Sequence, residues 1–73
     1  MNVPTINIVQ TGANIKALRK AAGIKVMDVA DTRGVSTQAV AKWQAGTALP
    51  TIDNLVILAA MLDTKIDDIL VIA

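Results

Sequence analysis

The chain has 73 residues, of which 53% are hydrophobic, and a formal net charge of +1. A chain of this length accommodates one domain with one small core. It contains neither cysteine nor histidine, which excludes disulfides, thiol nucleophiles, most zinc sites and the usual general base, so we expect no enzyme and no cofactor.

The N-terminal part of the chain is predicted to form a short strand and then a helix. Residues 5–10 alternate apolar and polar side chains, a pattern that indicates a strand. Helical spacing of apolar residues predicts a helix over residues 13–22, and Gly23 ends it. We therefore divide the chain into an N-terminal extension, residues 1–11, and a helical domain, residues 12–73.

Two further helices are predicted on either side of a tight turn. The first covers residues 26–33 and the second covers residues 37–44. Gly34 supplies the turn, and Ser36 is a favourable N-cap for the second helix. A helix pair on so short a turn is how a protein presents one helix to the major groove of DNA.

The second helix of this pair has an apolar and a polar face. Val40 and Trp43 are three residues apart, which favours a place in the core for both. Trp43 is the only aromatic residue and could instead stack a nucleic-acid base. Thr37, Gln38 and Lys42 are expected to face outward, either as contacts to DNA or as ordinary solvated surface.

The C-terminal part is predicted to contain a fourth helix over residues 52–62 and a short helical turn over residues 65–70. The fourth helix has hardly any polar face, so a second cover is expected from the N-terminal strand, the C-terminal run or a partner subunit. The apolar ends, residues 6–9 and 69–72, could pair as a small two-stranded sheet.

Charge is divided unevenly along the chain. Residues 1–46 hold six basic and two acidic residues, a net charge of +4, whereas residues 47–73 hold one basic and four acidic residues, a net charge of −3. The basic half of the chain can bind the phosphates of a nucleic acid, with the acidic half on the side that faces away from them. Asp67 and Asp68 are adjacent and diverge on a helix, so they do not indicate a metal site.

A family resemblance runs in one register through most of the chain. Its residues are Ile15-Lys-Ala-Leu18-Arg19, Gly23-Ile24, Val29-Ala30, Gly34-Val35-Ser36, Val40-Ala41-Lys42-Trp43, Gly46, Leu49-Pro50-Thr51, Leu55, Leu58-Ala59, Leu62 and Ile66-Asp67-Asp68-Ile69-Leu70. They closely resemble the Cro/repressor-type helix-turn-helix domain of the XRE class, found in phage repressors, antitoxins and small bacterial regulators. The resemblance implies a mainly α, lambda-repressor-like bundle of four or five helices.

The resemblance also implies that helix 37–44 is the recognition helix. Its exposed residues, Thr37, Gln38 and Lys42, are then the expected base contacts. Gln38 can bind an adenine edge through its amide, and Lys42 can reach guanine acceptors or a phosphate. Ser36 could equally serve only as a cap. The expected phosphate contacts are Lys25, Arg33, Ser36 and Thr47.

Several residues depart from the family pattern. Val26 replaces the usual polar residue at the start of the second helix, and Arg33 replaces an aliphatic residue before the turn glycine. Arg19 meets Gln44 where the family often has a glutamate. The loop after Gly46 offers no lysine or arginine. Few phosphate contacts imply modest affinity and a shallow salt dependence.

The sequence therefore predicts a sequence-specific DNA-binding regulator. We expect a cytoplasmic repressor that binds double-stranded DNA as a homodimer, through helix 52–62 and the chain termini. No membrane segment, metal or small-molecule ligand is expected. The alternative is an antitoxin-like protein-interaction module on the same fold, with weak or no DNA binding.

Overall fold

The computed structural model describes residues 3–73, and these residues form five α-helices. The helices are α1 (Ile8–Ala21), α2 (Val26–Arg33), α3 (Thr37–Ala45), α4 (Ile52–Met61) and α5 (Ile66–Ile69). Among the described residues, no helix is both long and apolar enough to cross a membrane. The mainly α bundle implied by the family resemblance is confirmed.

Three helices begin at a side chain that accepts a backbone hydrogen bond. Asn7 Oδ1 accepts from the N–H of Gln10 at 3.0 Å, and Ser36 and Thr51 cap α3 and α4 in the same way. These caps satisfy amide groups that have no partner within the helix. Lys25 precedes α2 at the N-cap position, and its side chain cannot accept a hydrogen bond. Asp28 compensates because its Oδ2 accepts from the Lys25 N–H at 3.0 Å.

The first helix begins earlier than predicted, so the strand prediction over residues 5–10 is wrong for residues 8–10. Asn7 caps α1, and Thr11 and Ile15 are buried on one side of it. A short alternating run is compatible with both the two-residue period of a strand and the 3.6-residue period of a helix. The packing of α1 against α3 favours the helix. Among residues 3–73, the extended pairing is limited to an antiparallel bridge between Ile6 and Ile72.

The two chain ends pair with each other beside α1. Asn7 N–H donates to the Val71 carbonyl oxygen at 2.7 Å, and Ala73 N–H donates to the Thr5 carbonyl oxygen at 2.7 Å. The fully buried hydroxyl of Thr11 accepts from Val71 N–H at 3.0 Å. The predicted pairing of the ends therefore exists as a single bridge, and α1 holds it in place.

The core lies between all five helices. Its buried apolar residues are Ile15, Val29, Ala30, Val40, Trp43, Leu55, Leu58, Ala59, Leu62 and Ile69. α5 packs on α1 and α4, so part of the apolar surface of α4 is covered by the chain's own C-terminal segment. Ile52 and Val56 lie outside this cover, with 76% and 50% of their surface exposed.

Candidate nucleic-acid interface

The turn between α2 and α3 depends on a left-handed glycine. Gly34 ends α2 with φ +64°, a conformation that costs other L-residues energy and that glycine adopts freely. Val35 N–H returns to the Ala30 carbonyl oxygen at 3.0 Å, and Ser36 then caps α3 through Ala39 N–H. The helix pair predicted around Gly34 is confirmed.

α3 divides its residues between the core and the solvent. Val40 is fully buried and Trp43 is 5% exposed, so the core position expected for Trp43 is confirmed and the base-stacking alternative is excluded. Thr37, Gln38 and Lys42 are exposed on the remaining surface of the same helix. The Thr37 hydroxyl donates a hydrogen bond to Gln38 Oε1 at 3.5 Å.

The four expected phosphate contacts lie at three places along the chain. Ser36 and Arg33 flank the turn before α3, Thr47 follows its C-terminal end, and Lys25 precedes α2. Lys25, Ser36 and Thr47 are exposed, whereas Arg33 is half-buried. Thr47 Oγ1 donates to the Lys42 carbonyl oxygen at 3.3 Å, which orders the start of the loop after α3.

Arg33 is held by a residue that the sequence analysis did not single out. Its Nε donates to Asn54 Oδ1 at 2.6 Å, so the guanidinium is anchored by a hydrogen bond instead of by its aliphatic stem alone. Asn54 lies in the first turn of α4 and is 8% exposed. A polar residue beside the buried Leu55 was the available signal, since buried amides are nearly always hydrogen-bonded.

Arg19 and Gln44 form the predicted pair. Arg19 Nε donates to Gln44 Oε1 at 2.8 Å, and Arg19 Nη1 donates to the Ile24 carbonyl oxygen at 2.9 Å. The two bonds join the end of α1 to the end of α3 and to the segment before α2. Arg19 therefore holds α3 against the rest of the domain.

Gln44→Glu is expected to stabilise the domain by about 1 kcal/mol, because an ionised acceptor makes a stronger hydrogen bond with arginine. Both side chains are half-buried, so desolvation offsets only part of this gain. The expected rise in melting temperature is about 4–8 °C. Gln44→Leu is the matched control and should lower it, since Arg19 Nε then loses its acceptor. A melt in which Gln44→Glu is no more stable than the wild type would contradict the prediction.

The helix-turn-helix described above matches a known protein family. The profile of the HTH_3 family, described as helix-turn-helix, matches residues 15–69. The chain belongs to the HTH_3 family. The match covers all of α2, α3 and α4, so the turn at Gly34 and the polar surface of α3 both lie within the HTH_3 domain.

Solved structures share the fold of this HTH_3 domain. The restriction-modification controller protein C.AhdI from Aeromonas hydrophila matches with a TM-score of 0.76 and 24% identity, over 86% of this chain and 96% of that one. The DNA-binding domain of BldD matches with a TM-score of 0.71 and 21% identity, over 88% and 93% of the two chains.

A third structure is larger than this HTH_3 domain. An HTH_3 family transcriptional regulator from Vibrio cholerae matches with a TM-score of 0.69 and 28% identity, over 84% of this chain and 34% of that one. Among curated protein sequences, none matches the chain significantly. Family and fold together confirm the XRE-type helix-turn-helix resemblance.

Proposed function

We propose that this HTH_3 domain is a sequence-specific DNA-binding transcriptional regulator, a repressor, that reads the major groove with α3. The observation that carries the proposal is the exposed polar surface of α3, where Thr37, Gln38 and Lys42 stand opposite the buried Val40 and Trp43. A helix anchored in this way can enter a groove without losing its own packing.

The chemistry of these side chains suits base readout. The Gln38 amide can donate to N7 and accept from the N6 amino group of one adenine, Lys42 can donate to guanine or phosphate oxygens, and Thr37 can pack its methyl group on thymine. Phosphate contacts position a protein on the duplex without specifying sequence. We assign them to Lys25, Arg33, Ser36 and Thr47.

The proposed binding unit is a homodimer through α4 and the chain termini. Ile52, Val56 and Ala60 are exposed at intervals of four residues, which forms one apolar stripe along α4. Ile6 and Ile72, the bridged residues at the chain ends, are also exposed. A symmetric dimer would read two half-sites about 34 Å apart, one turn of DNA.

Gln38→Ala is expected to relax base preference at one position of each half-site, with a loss of about 1–3 kcal/mol of discrimination. The measurement is selection of binding sites from random duplexes, repeated with the variant. Gln10→Ala is the matched control, because Gln10 is also exposed on a helix but lies on α1. If the wild type selects no site over bulk DNA, the DNA-binding proposal fails. If Gln38→Ala selects the same site equally well, the assignment of Gln38 fails.

The second candidate is a protein-interaction module of the antitoxin type. It is supported by the exposed apolar stripe of α4 and by the scarcity of basic residues in the loop after Gly46. Light scattering and DNA titration separate the two candidates. A dimer that prefers particular fragments supports the regulator, whereas a monomer without such preference supports the interaction module.

A further inference from the structure

The hydrogen bond between Arg33 and Asn54 joins the end of α2 to the beginning of α4. Arg33 precedes the turn glycine, and Ser36 follows it by three positions, so their Cα atoms lie within about 11 Å. Asn54 is buried in the first turn of α4, where its own N–H donates to Thr51 Oγ1 at 3.2 Å. The backbone of Asn54 is therefore held by the cap of α4, and its buried side chain places the acceptor of the Arg33 bond.

The chemistry of the acceptor matters as much as its position. An amide oxygen is neutral, so it orients the guanidinium without cancelling its charge. A carboxylate at the same place would form an ion pair and compete with phosphate for the same cation. The bond also uses Nε, which leaves the pair of Nη donors as the fork that guanidinium groups present to phosphate.

We propose that Asn54 is a positioning residue for DNA binding: it orients Arg33 towards a backbone phosphate and keeps the arginine charge available. The inference rests on the proposed function and deepens it. Arg33 then makes the phosphate contact, and Asn54 acts through Arg33 without touching DNA. An aspartate at residue 54 should therefore leave the stability of the fold intact but weaken DNA binding. This difference distinguishes a positioning role of the amide from a purely structural one.

Asn54→Asp is the decisive variant. The carboxylate makes a stronger hydrogen bond to Arg33 and lies at a helix N-terminus, which favours negative charge. These gains offset the cost of burying the charge, so the melting temperature should stay close to that of the wild type. DNA affinity should nevertheless fall about tenfold, the loss of one charged hydrogen bond. The slope of log Kd against log salt concentration should decrease by about one phosphate contact. A purely structural role for Asn54 would leave this slope unchanged.

Two further variants complete the experiment, which uses the full chain and the duplex selected by the wild type. Arg33→Gln should reduce affinity and slope to the same extent as Asn54→Asp, because either change removes the available charge. Lys65→Gln is the charge-matched control: it also lowers the net charge by one, but it lies before α5 in the acidic half of the chain. It should leave the affinity within about twofold of the wild type, since surface charges are screened beyond about 10 Å.

Each outcome decides one point. Suppose that Asn54→Asp keeps the wild-type DNA affinity and salt dependence while Arg33→Gln lowers both. In that case Asn54 does not control the availability of the Arg33 charge, and the inference is overturned. If Arg33→Gln also binds as the wild type does, Arg33 contacts no phosphate and the inference is again overturned. If the wild type binds no duplex at all, the proposed function fails, which is distinguishable from either result. Circular dichroism of each variant verifies that it is folded.

Discussion

Gly12→Ala is expected to destabilise the domain by about 3 kcal/mol, at the upper end of the cost of overpacking a core. Gly12 is buried inside α1, where the helix passes close to the end of α3. A Cβ atom there would overlap the carbonyl oxygen of Trp43 and lie 2.9 Å from that of Gln44. Both are backbone atoms, so the clash can be relieved only by moving one helix away from the other.

Helix propensity alone predicts the opposite sign. Replacing a glycine in a helix interior by alanine normally stabilises a protein by about 1 kcal/mol. The steric term is larger here because the obstacle is backbone of α3 and not the end of a flexible side chain. A loss of about 3 kcal/mol is a large share of the total stability of a domain this small. Urea denaturation followed by circular dichroism measures it.

Gly23→Ala is the matched control for this experiment. Gly23 has φ +71°, but a Cβ atom there would meet no atom within 4 Å. Only the left-handed conformation is then penalised, at about 1 kcal/mol. The close approach of α1 and α3 would be refuted if Gly12→Ala were as stable as the wild type, or cost no more than Gly23→Ala.

Trp43→Ala is expected to remove about 4 kcal/mol of stability, enough to unfold much of the population of a small domain. Trp43 is the only aromatic side chain and is almost completely buried in the core beneath the exposed polar surface of α3. No smaller residue can fill the volume that it leaves, because the neighbouring helices are held by their own contacts. A thermal melt followed by circular dichroism measures the loss.

Trp43→Phe separates the packing role of Trp43 from any role in DNA recognition. Phenylalanine fills most of the volume, so we expect a much smaller loss of stability than with alanine. The variant should fold and select the same DNA site as the wild type, since Trp43 faces the core and not the groove. A folded Trp43→Phe protein with a different site preference would contradict this assignment.

Local chemistry was sufficient to predict the helix-turn-helix. The bounds of α2 agree with the prediction, and α3 is one residue longer than predicted. Gly34 and Ser36 mark the turn and the cap because their conformational preferences act within a few residues. The spacing of Val40 and Trp43 was likewise enough to assign the buried face of α3.

Other features depend on residues that are distant in sequence. The strand predicted over residues 5–10 is partly helix, because the periodicity of six residues is ambiguous until α3 packs against them. The contact between Arg33 and Asn54 joins residues 21 positions apart. The polar Asn54 indicated a hydrogen bond there, but no local preference of either residue identifies the other as its partner. The chain ends, whose pairing was expected, meet beside α1 because Thr11 supplies an acceptor there.

The sequence therefore encodes the parts of the helix-turn-helix, since caps, turns and helix faces follow from short-range preferences. Their mutual arrangement is decided by tertiary packing. Gly12 sets how closely α1 approaches α3, and Asn54 sets where Arg33 is held. Both depend on atoms of another helix, and the energy of such a contact exists only once the helices have packed together.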